Sequence, residues 1–171
     1  VCRCAVDPKY PHHELYAAYS ERINAIYGEY TALVEPFGID ESWLDVTHSL
    51  HLFGGDAKAL ADTLRERIRR ELGLTISVGV SFNKVFAKLG SDYKKPDATT
   101  IIARENWREI VFPLPVGDLL YVGRSAQEIL GRYGVRTIGE LSQCSEEMLE
   151  TLMGRLGVQL CRYANGLDSS P

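Results

Sequence analysis

Helical and extended hydrophobic spacings succeed one another in a definite order as far as Arg104, and that order restricts the fold more than any single motif does. Leu15, Ala18, Tyr19, Ile23 and Ile26 recur at helical spacing, which predicts an amphipathic helix over residues 12–27 that Gly28 ends. Residues 30–36 and 42–46 read as strands, and Gly38, Ile39, Asp40 and Glu41 between them predict a hairpin. Asp56 is placed to cap a second helix running to Leu72, in which Leu60, Leu64, Ile68 and Leu72 form one stripe and Gly73 is the stop. Residues 75–82 make the strongest strand. Asn83 then starts a short helix to Gly90, and residues 99–102 give a further strand. The succession is helix, strand, strand, helix, strand, helix, strand: an α+β layout, most of βαββαβ with its first strand missing at the front. The opening residues, with Pro8 and Pro11 in an extended stretch, read as the tail of something earlier. After Arg104 the pattern turns to short helices between Gly-containing turns, which predicts a small all-α domain.

At 171 residues, 45% hydrophobic and 25% charged, the chain can bury one large core or two small ones. It has no apolar run of the roughly 20 residues that a membrane span requires, and VCRCAVDPKY lacks the apolar stretch of a secretory signal, so the expected location is cytoplasmic with no membrane partner. Cys2 and Cys4 are too close for a usual zinc pair, Cys144 and Cys161 stand alone, and all four are expected as reduced thiols. The formal charge of −4 weighs mildly against nucleic acid. Its distribution weighs more. Acids crowd residues 7–56, whereas Arg65, Arg67, Arg69, Arg70, Lys84, Lys88, Lys94 and Lys95 make the next segment basic. The plainest account of the four arginines is a solvated helix face.

Three segments could carry chemistry. In GIDESWLDVT, Asp40 and Glu41 adjoin at a strand junction among apolar residues, where a bound divalent cation would offset the cost of desolvating carboxylates. Adjacent side chains on a strand face opposite ways, so both acids can serve one site only if a turn re-aims one of them, and Gly38 permits the kink. A solvated acidic turn explains the dipeptide as well. In SVGVSFNKVFAKLGSDYKKPD, a strand leads into a helix start able to donate amides to an anion. Lys84 and Lys88 share a face of that helix, and Pro96 stiffens the turn presenting Lys95. The set suits a triphosphate or a nucleic-acid backbone, with a solubilising lysine run as the plain alternative. In LLYVGRSAQEILGRYGVRTIGEL, a glycine turn between helices puts Gly123 and Ser125 at its tip, where backbone could approach a phosphate. Helix hairpins are also common packing units. FGGD, Phe53 to Asp56, is similar to a diguanylate cyclase signature but lacks the residues that follow it there, and Asp56 is better used as a helix cap.

In this order and spacing the three motifs resemble the Y-family translesion DNA polymerases over almost the whole chain. The family's Ser-Ile-Asp-Glu segment has Gly38 here in place of the serine, with Asp45 as the next acid after Glu41. GVSFNKVFAKLGSDYKKPD looks like the palm signature and VGRSAQEILGRYGVRTIGEL like the helix-hairpin-helix of the thumb. The resemblance implies a ferredoxin-like palm over residues 11–103, a thumb over 104–171, and the end of the fingers in 1–10. It implies template-directed synthesis past damaged bases, with primer–template DNA and deoxynucleoside triphosphates as partners and a sliding clamp bound through a tail beyond Pro171. Asp40 and Glu41 would be catalytic metal ligands for two Mg²⁺ ions, and Lys95 would contact the triphosphate. Val122, Gly123, Arg124 and Ser125, with Lys84, would hold DNA.

The family's first catalytic Asp, the aromatic residue after it that excludes ribonucleotides, and the Tyr and Arg of the fingers have no counterpart in the chain. The expectation is therefore a palm and thumb fragment that is inactive alone. Two other functions fit parts of the pattern: a non-catalytic helix-hairpin-helix DNA-binding module, marked by steep salt dependence without a Mg²⁺ requirement, and a nucleotide cyclase acting without primer or template.

Overall fold

The computed structural model describes residues 13–168 and Ser170; the segment assigned to the end of the fingers, with Cys2 and Cys4, lies outside the described residues. Helix α1 (His13–Gly28) leads to strands β1 (Val34–Phe37) and β2 (Glu41–Leu44), then to a 3-10 turn (Leu50–Phe53) and α2 (Ala57–Leu72). Strand β3 (Val78–Ser81), helix α3 (Lys84–Tyr93) and strand β4 (Thr99–Ile102) follow. The remainder is helical: α4 (Trp107–Val111), a 3-10 turn (Val116–Asp118), α5 (Arg124–Arg132), α6 (Ile138–Ser142), α7 (Glu146–Met153) and α8 (Arg155–Ala164). The order of the elements is the one the spacings predict.

By packing, the chain forms two units. One runs through Val78 and takes in Lys95–Thr99; the other holds Gly79–Lys94 and the described chain from Thr100 onward. In the first unit, β1 and β2 pair antiparallel with Phe37 opposite Glu41 and Val34 opposite Leu44. The predicted stripe of α2 supplies the core: Leu60, Leu64 and Ile68 are buried together with Ile26 of α1, and Leu44 and Val46 pack on them. Each such side chain contributes roughly 1.5–3 kcal/mol by leaving water. Asp56 caps α2, its Oδ1 accepting from the amides of Lys58 at 2.8 Å and Ala59 at 3.1 Å, which uses this acid as a cap and not in a cyclase signature. Gly73 stops the helix at φ +67, where its amide reaches the Arg69 carbonyl. Burial pushes the phenol of Tyr27, packed against this core, up to about 12.

Strand β1 is shorter than its sequence suggests. The hydroxyl of Thr31 donates to the Asp45 carbonyl at 2.6 Å and accepts the Leu33 amide at 3.1 Å, so a side chain does there what the ladder would otherwise do. Strands β3 and β4 form the other pair; Val78 lies beside Ala98 and Ser81 beside Ile102, so the two run in the same direction with α3 as the crossover. Among the described residues the strands make two pairs and not one sheet.

Helix α3 runs on through Gly90, where the sequence suggested a stop. Gly90 is a packing glycine: a Cβ there would sit 3.1 Å from the Cα of Gly79, and one on Gly79 would fall 1.8 Å from the Ala87 carbonyl oxygen. The second unit's core joins Val85, Phe86 and Leu89 of α3 and Ile102 of β4 to residues of the helices beyond Trp107. It therefore crosses the boundary placed near Arg104 from the sequence. Phe86 is its centre, tilted on Trp107 at 5.2 Å and edge-on to Phe82 at 5.7 Å. Thr137 and Glu140 form a capping box at α6, whose two backbone hydrogen bonds hold the Glu140 carboxyl below its ordinary range. Cys144 and Cys161 are free thiols, both pushed up by burial.

Candidate active site and nucleic-acid interface

In the first unit the two candidate metal ligands stand at the tip of the β1–β2 hairpin. Gly38 has φ +73, a left-handed conformation that a residue with a Cβ rarely adopts, and it turns the chain so that Asp40 falls in the exposed loop while Glu41 opens β2. Along β2 the alternation separates two faces. Ser42 and Leu44 face α1, the Ser42 hydroxyl donating to the Asn24 side-chain oxygen at 2.7 Å and Leu44 joining the core. Glu41 and Trp43 take the other face, where Trp43 packs on Phe37 at 4.7 Å. Glu41 is half-buried and Asp40 exposed. Asp45, the next acid, accepts the Thr47 amide at 2.9 Å in a local turn. Carboxylate oxygens are the hard donors that Mg²⁺ takes, so the pair fits such an ion chemically. No group of three or more His, Cys, Asp or Glu side chains converges as a metal cage among the described residues.

Lys95 is exposed on the loop that closes this unit, ahead of a cis bond to Pro96. The loop is held by a residue that sequence reasoning assigned to a solvated face. Arg65, with only 20% of its side chain exposed, donates from Nη2 to Asp97 Oδ1 at 2.8 Å and to the Asp97 carbonyl. From Nη1 it reaches Asp62 at 3.1 Å and Thr99 at 3.2 Å. Arg67 is equally covered and bridges Glu29 at 2.7 Å and Glu71 at 2.9 Å, fastening the end of α1 to α2. Its guanidinium, through hydrogen bonding and then charge, holds the Glu29 carboxyl below its ordinary range. Only Arg69 and Arg70, at 55% and 72% exposed, form the solvated face. No local signal marks Arg65 and Arg67, because Asp97 and Glu29 lie more than 30 positions away.

In the second unit, Lys84 is half-buried at the start of α3. Asn83 caps this helix itself, its oxygen accepting the Phe86 amide at 2.8 Å while its Nδ2 donates to the Gly166 carbonyl at 3.1 Å. One amide of the helix start is thus already used by the cap. Lys88 is engaged with Asp92 at 2.5 Å. The candidate DNA turn divides in two. Val122 is buried, and its amide and that of Gly123 are spent on the carbonyls of Leu119 and Tyr121. Gly123, Arg124 and Ser125 are exposed at the start of α5, which has no side-chain cap. A Cβ on Gly123 would meet nothing within 4 Å, so an approaching backbone meets no obstruction there.

The family model described as impB/mucB/samB matches residues 1–92. A DNA polymerase IV of Acetivibrio thermocellus is 52% identical over 159 residues, which are 93% of this chain and 40% of that protein. One from Pseudomonas paraeruginosa is 41% identical over 94% of this chain and 46% of its own length. The chain thus spans less than half the length of these curated relatives. In fold it superposes on a solved DinB structure from Sulfolobus solfataricus with a TM-score of 0.83 at 24% identity, over 94% of this chain and 47% of that one. A Dbh DNA polymerase insertion ternary complex gives 0.82. With over half of its residues matched by the family model, this chain belongs to the impB/mucB/samB family.

Proposed function

We propose that this chain supplies the palm, over residues 11–103, and the thumb, over residues 104–171, of a translesion DNA polymerase that extends a primer 3′-hydroxyl opposite damaged template bases, with residues 1–10 ending the fingers. The observation that carries this reading is the 52% identity with a DNA polymerase IV across 93% of the chain. Asp40 and Glu41 hold the catalytic Mg²⁺ ions, supported by their place at the hairpin tip, where the turn at Gly38 separates loop from strand. Bound there, two such ions would supply activation of the primer hydroxyl and stabilisation of the departing pyrophosphate. Lys95 offsets the charge of the incoming triphosphate from a loop that Arg65 keeps in place. Arg124 and Ser125, beside the unobstructed Gly123, hold a DNA strand by its phosphates, buried Val122 anchors the turn from within, and Lys84 adds a cation. The setting is the cytoplasm, and a sliding clamp is a further partner of the same reading.

Primer extension on a damaged template, by a polypeptide of the relatives' full length carrying this sequence, tests the assignment. Asp40→Ala and Glu41→Ala should each cost at least about a hundredfold in rate, because a ligand to closely spaced cations is lost. The 171 residues alone should bind primer–template DNA but extend nothing. Extension that survives both substitutions unchanged would remove these acids from catalysis. Salt-steep DNA binding with no Mg²⁺-dependent synthesis at full length would favour the non-catalytic module instead.

A further inference from the structure

Tyr121, immediately before the candidate DNA turn, is held at φ +68. That conformation suits glycine, and a bulky aromatic residue adopts it only against steric resistance. Half of Tyr121 is exposed, so burial of the side chain does not account for the choice. The turn does fix the backbone: the Tyr121 carbonyl accepts the Gly123 amide at 3.1 Å, and Val122, next in the chain, is locked into the core. The ring is also fixed, lying on that of Tyr163 with centroids 6.3 Å apart and planes 30° from parallel. Tyr163 is itself buried, and its hydroxyl accepts from Gln159 Nε2 at 2.6 Å. A strained residue, oriented by a buried partner and open to solvent beside an unobstructed glycine, has the form of a contact kept for a ligand at the expense of backbone comfort.

We infer that Tyr121 is a DNA-contacting residue, its free ring face packing against the sugar and base of the strand whose phosphates Gly123, Arg124 and Ser125 hold. This rests on the reading of that turn as a DNA site. Tyrosine serves such a role with little loss of conformational freedom, and an aromatic face is indifferent to base sequence. The contact is uncharged, so it adds affinity without adding to the salt dependence that phosphate neutralisation brings.

Titration of a labelled primer–template duplex at several salt concentrations, on variants first checked for cooperative melting, decides the matter. Tyr121→Gly and Tyr121→Asn, both at ease at positive φ, should bind roughly tenfold more weakly at every salt concentration, leaving the slope of log affinity against log salt unchanged. Tyr121→Phe should bind as the parent does. Arg124→Gln should lower that slope by about one. Parental affinity in Tyr121→Gly, or a loss in Tyr121→Phe as large as in Tyr121→Gly, would overturn the ring contact. Gly123→Asp separates the two levels, since its side chain has room and sets a carboxylate where a phosphate is to lie. If it weakens binding while Tyr121→Gly does not, only the tyrosine assignment fails; if it binds as the parent does, the turn is not a DNA site and the inference falls with it.

Discussion

Arg65 joins stretches that are distant in the chain, and its worth depends on how many partners it satisfies at once. Its guanidinium serves Asp62, Asp97 and Thr99 with little exposure, while its Nε is buried without an acceptor. A charge in that setting is retained only because the other hydrogen bonds offset desolvation. Removing it takes the close donor from Asp97, itself at φ +52, and leaves only the longer contact with Arg69 at 3.5 Å. Arg65→Met should therefore cost about 2 kcal/mol, read as a fall of several degrees in the melting temperature. Hydrogen exchange should also speed up at residues 97–99, behind Lys95. Arg70→Gln, by contrast, alters a side chain 72% exposed and should stay within about 0.5 kcal/mol of the parent. Equal losses in the two would show that Arg65 is only another surface charge.

Among the elements, close approach of backbones decides what substitutions are tolerated. Strand β3 meets α3 at Gly79 and Gly90, and α7 meets α8 at Gly157, where a Cβ would fall 2.1 Å from the Leu149 carbonyl oxygen. Two effects oppose each other at Gly157. Alanine would favour the helix by about 1 kcal/mol, but pushing a backbone carbonyl aside from so close an overlap costs about 2–3 kcal/mol, so packing should win. Gly157→Ala is expected to destabilise by about 1–2 kcal/mol in chemical unfolding, and Gly79→Ala by about 3 kcal/mol or more, since its obstacles are backbone atoms at 1.8 and 2.6 Å. Gly131, whose Cβ would meet nothing within 4 Å, is the control: alanine there should stabilise α5. A stabilised Gly157→Ala would mean that the helices separate freely.

At the scale of the molecule, pH reports on ion pairs distributed over both units. Asp62, through hydrogen bonds from Lys58 and then Thr99, is held below its ordinary value; so are Glu29 by Arg67, Glu146 by Arg162 and Glu140 by backbone amides. A carboxyl depressed on folding contributes stability above its unfolded value, and that stability disappears as pH falls through the folded one. The loss should begin near the ordinary values of 4.5 for Glu and 3.8 for Asp and continue below them. Tyr27 has the opposite sign: raised from 10.0 to about 12, it contributes fully below 10.0 and loses its contribution as pH rises towards 12. Thermal unfolding should thus be nearly level from about pH 5.5 to 8.5 and fall on both sides. Glu146→Gln should flatten part of the acid limb. An acid limb unchanged by that substitution would remove the Glu146–Arg162 pair from the account.

What sequence alone determined is what neighbours along the chain can settle. The Asp56 cap, the Gly73 stop, the start of α3 at Asn83, the hairpin at Gly38 and the stripe of α2 are all set by φ preference, by a side chain reaching its own next turn, or by periodicity. The acids at 40 and 41 were legible as a pair for the same reason, and the family resemblance supplied their proposed role. Tertiary structure decided whatever depends on partners remote in the chain. It covered most of Arg65 and Arg67 while leaving Arg69 and Arg70 in water, because Asp97 with Thr99, and Glu29 with Tyr30, close on the first two from other segments, whereas Arg69 meets Asp97 only at 3.5 Å. It carried α3 past Gly90, because Gly79 of another element takes the space a side chain would fill. It drew α3 and the end of β4 into the core of the later helices, and it held Tyr121 at a left-handed angle that its sequence neighbours do not announce. Local rules specify where elements begin and end; which faces meet, and at what strain, follows only from packing the whole chain at once.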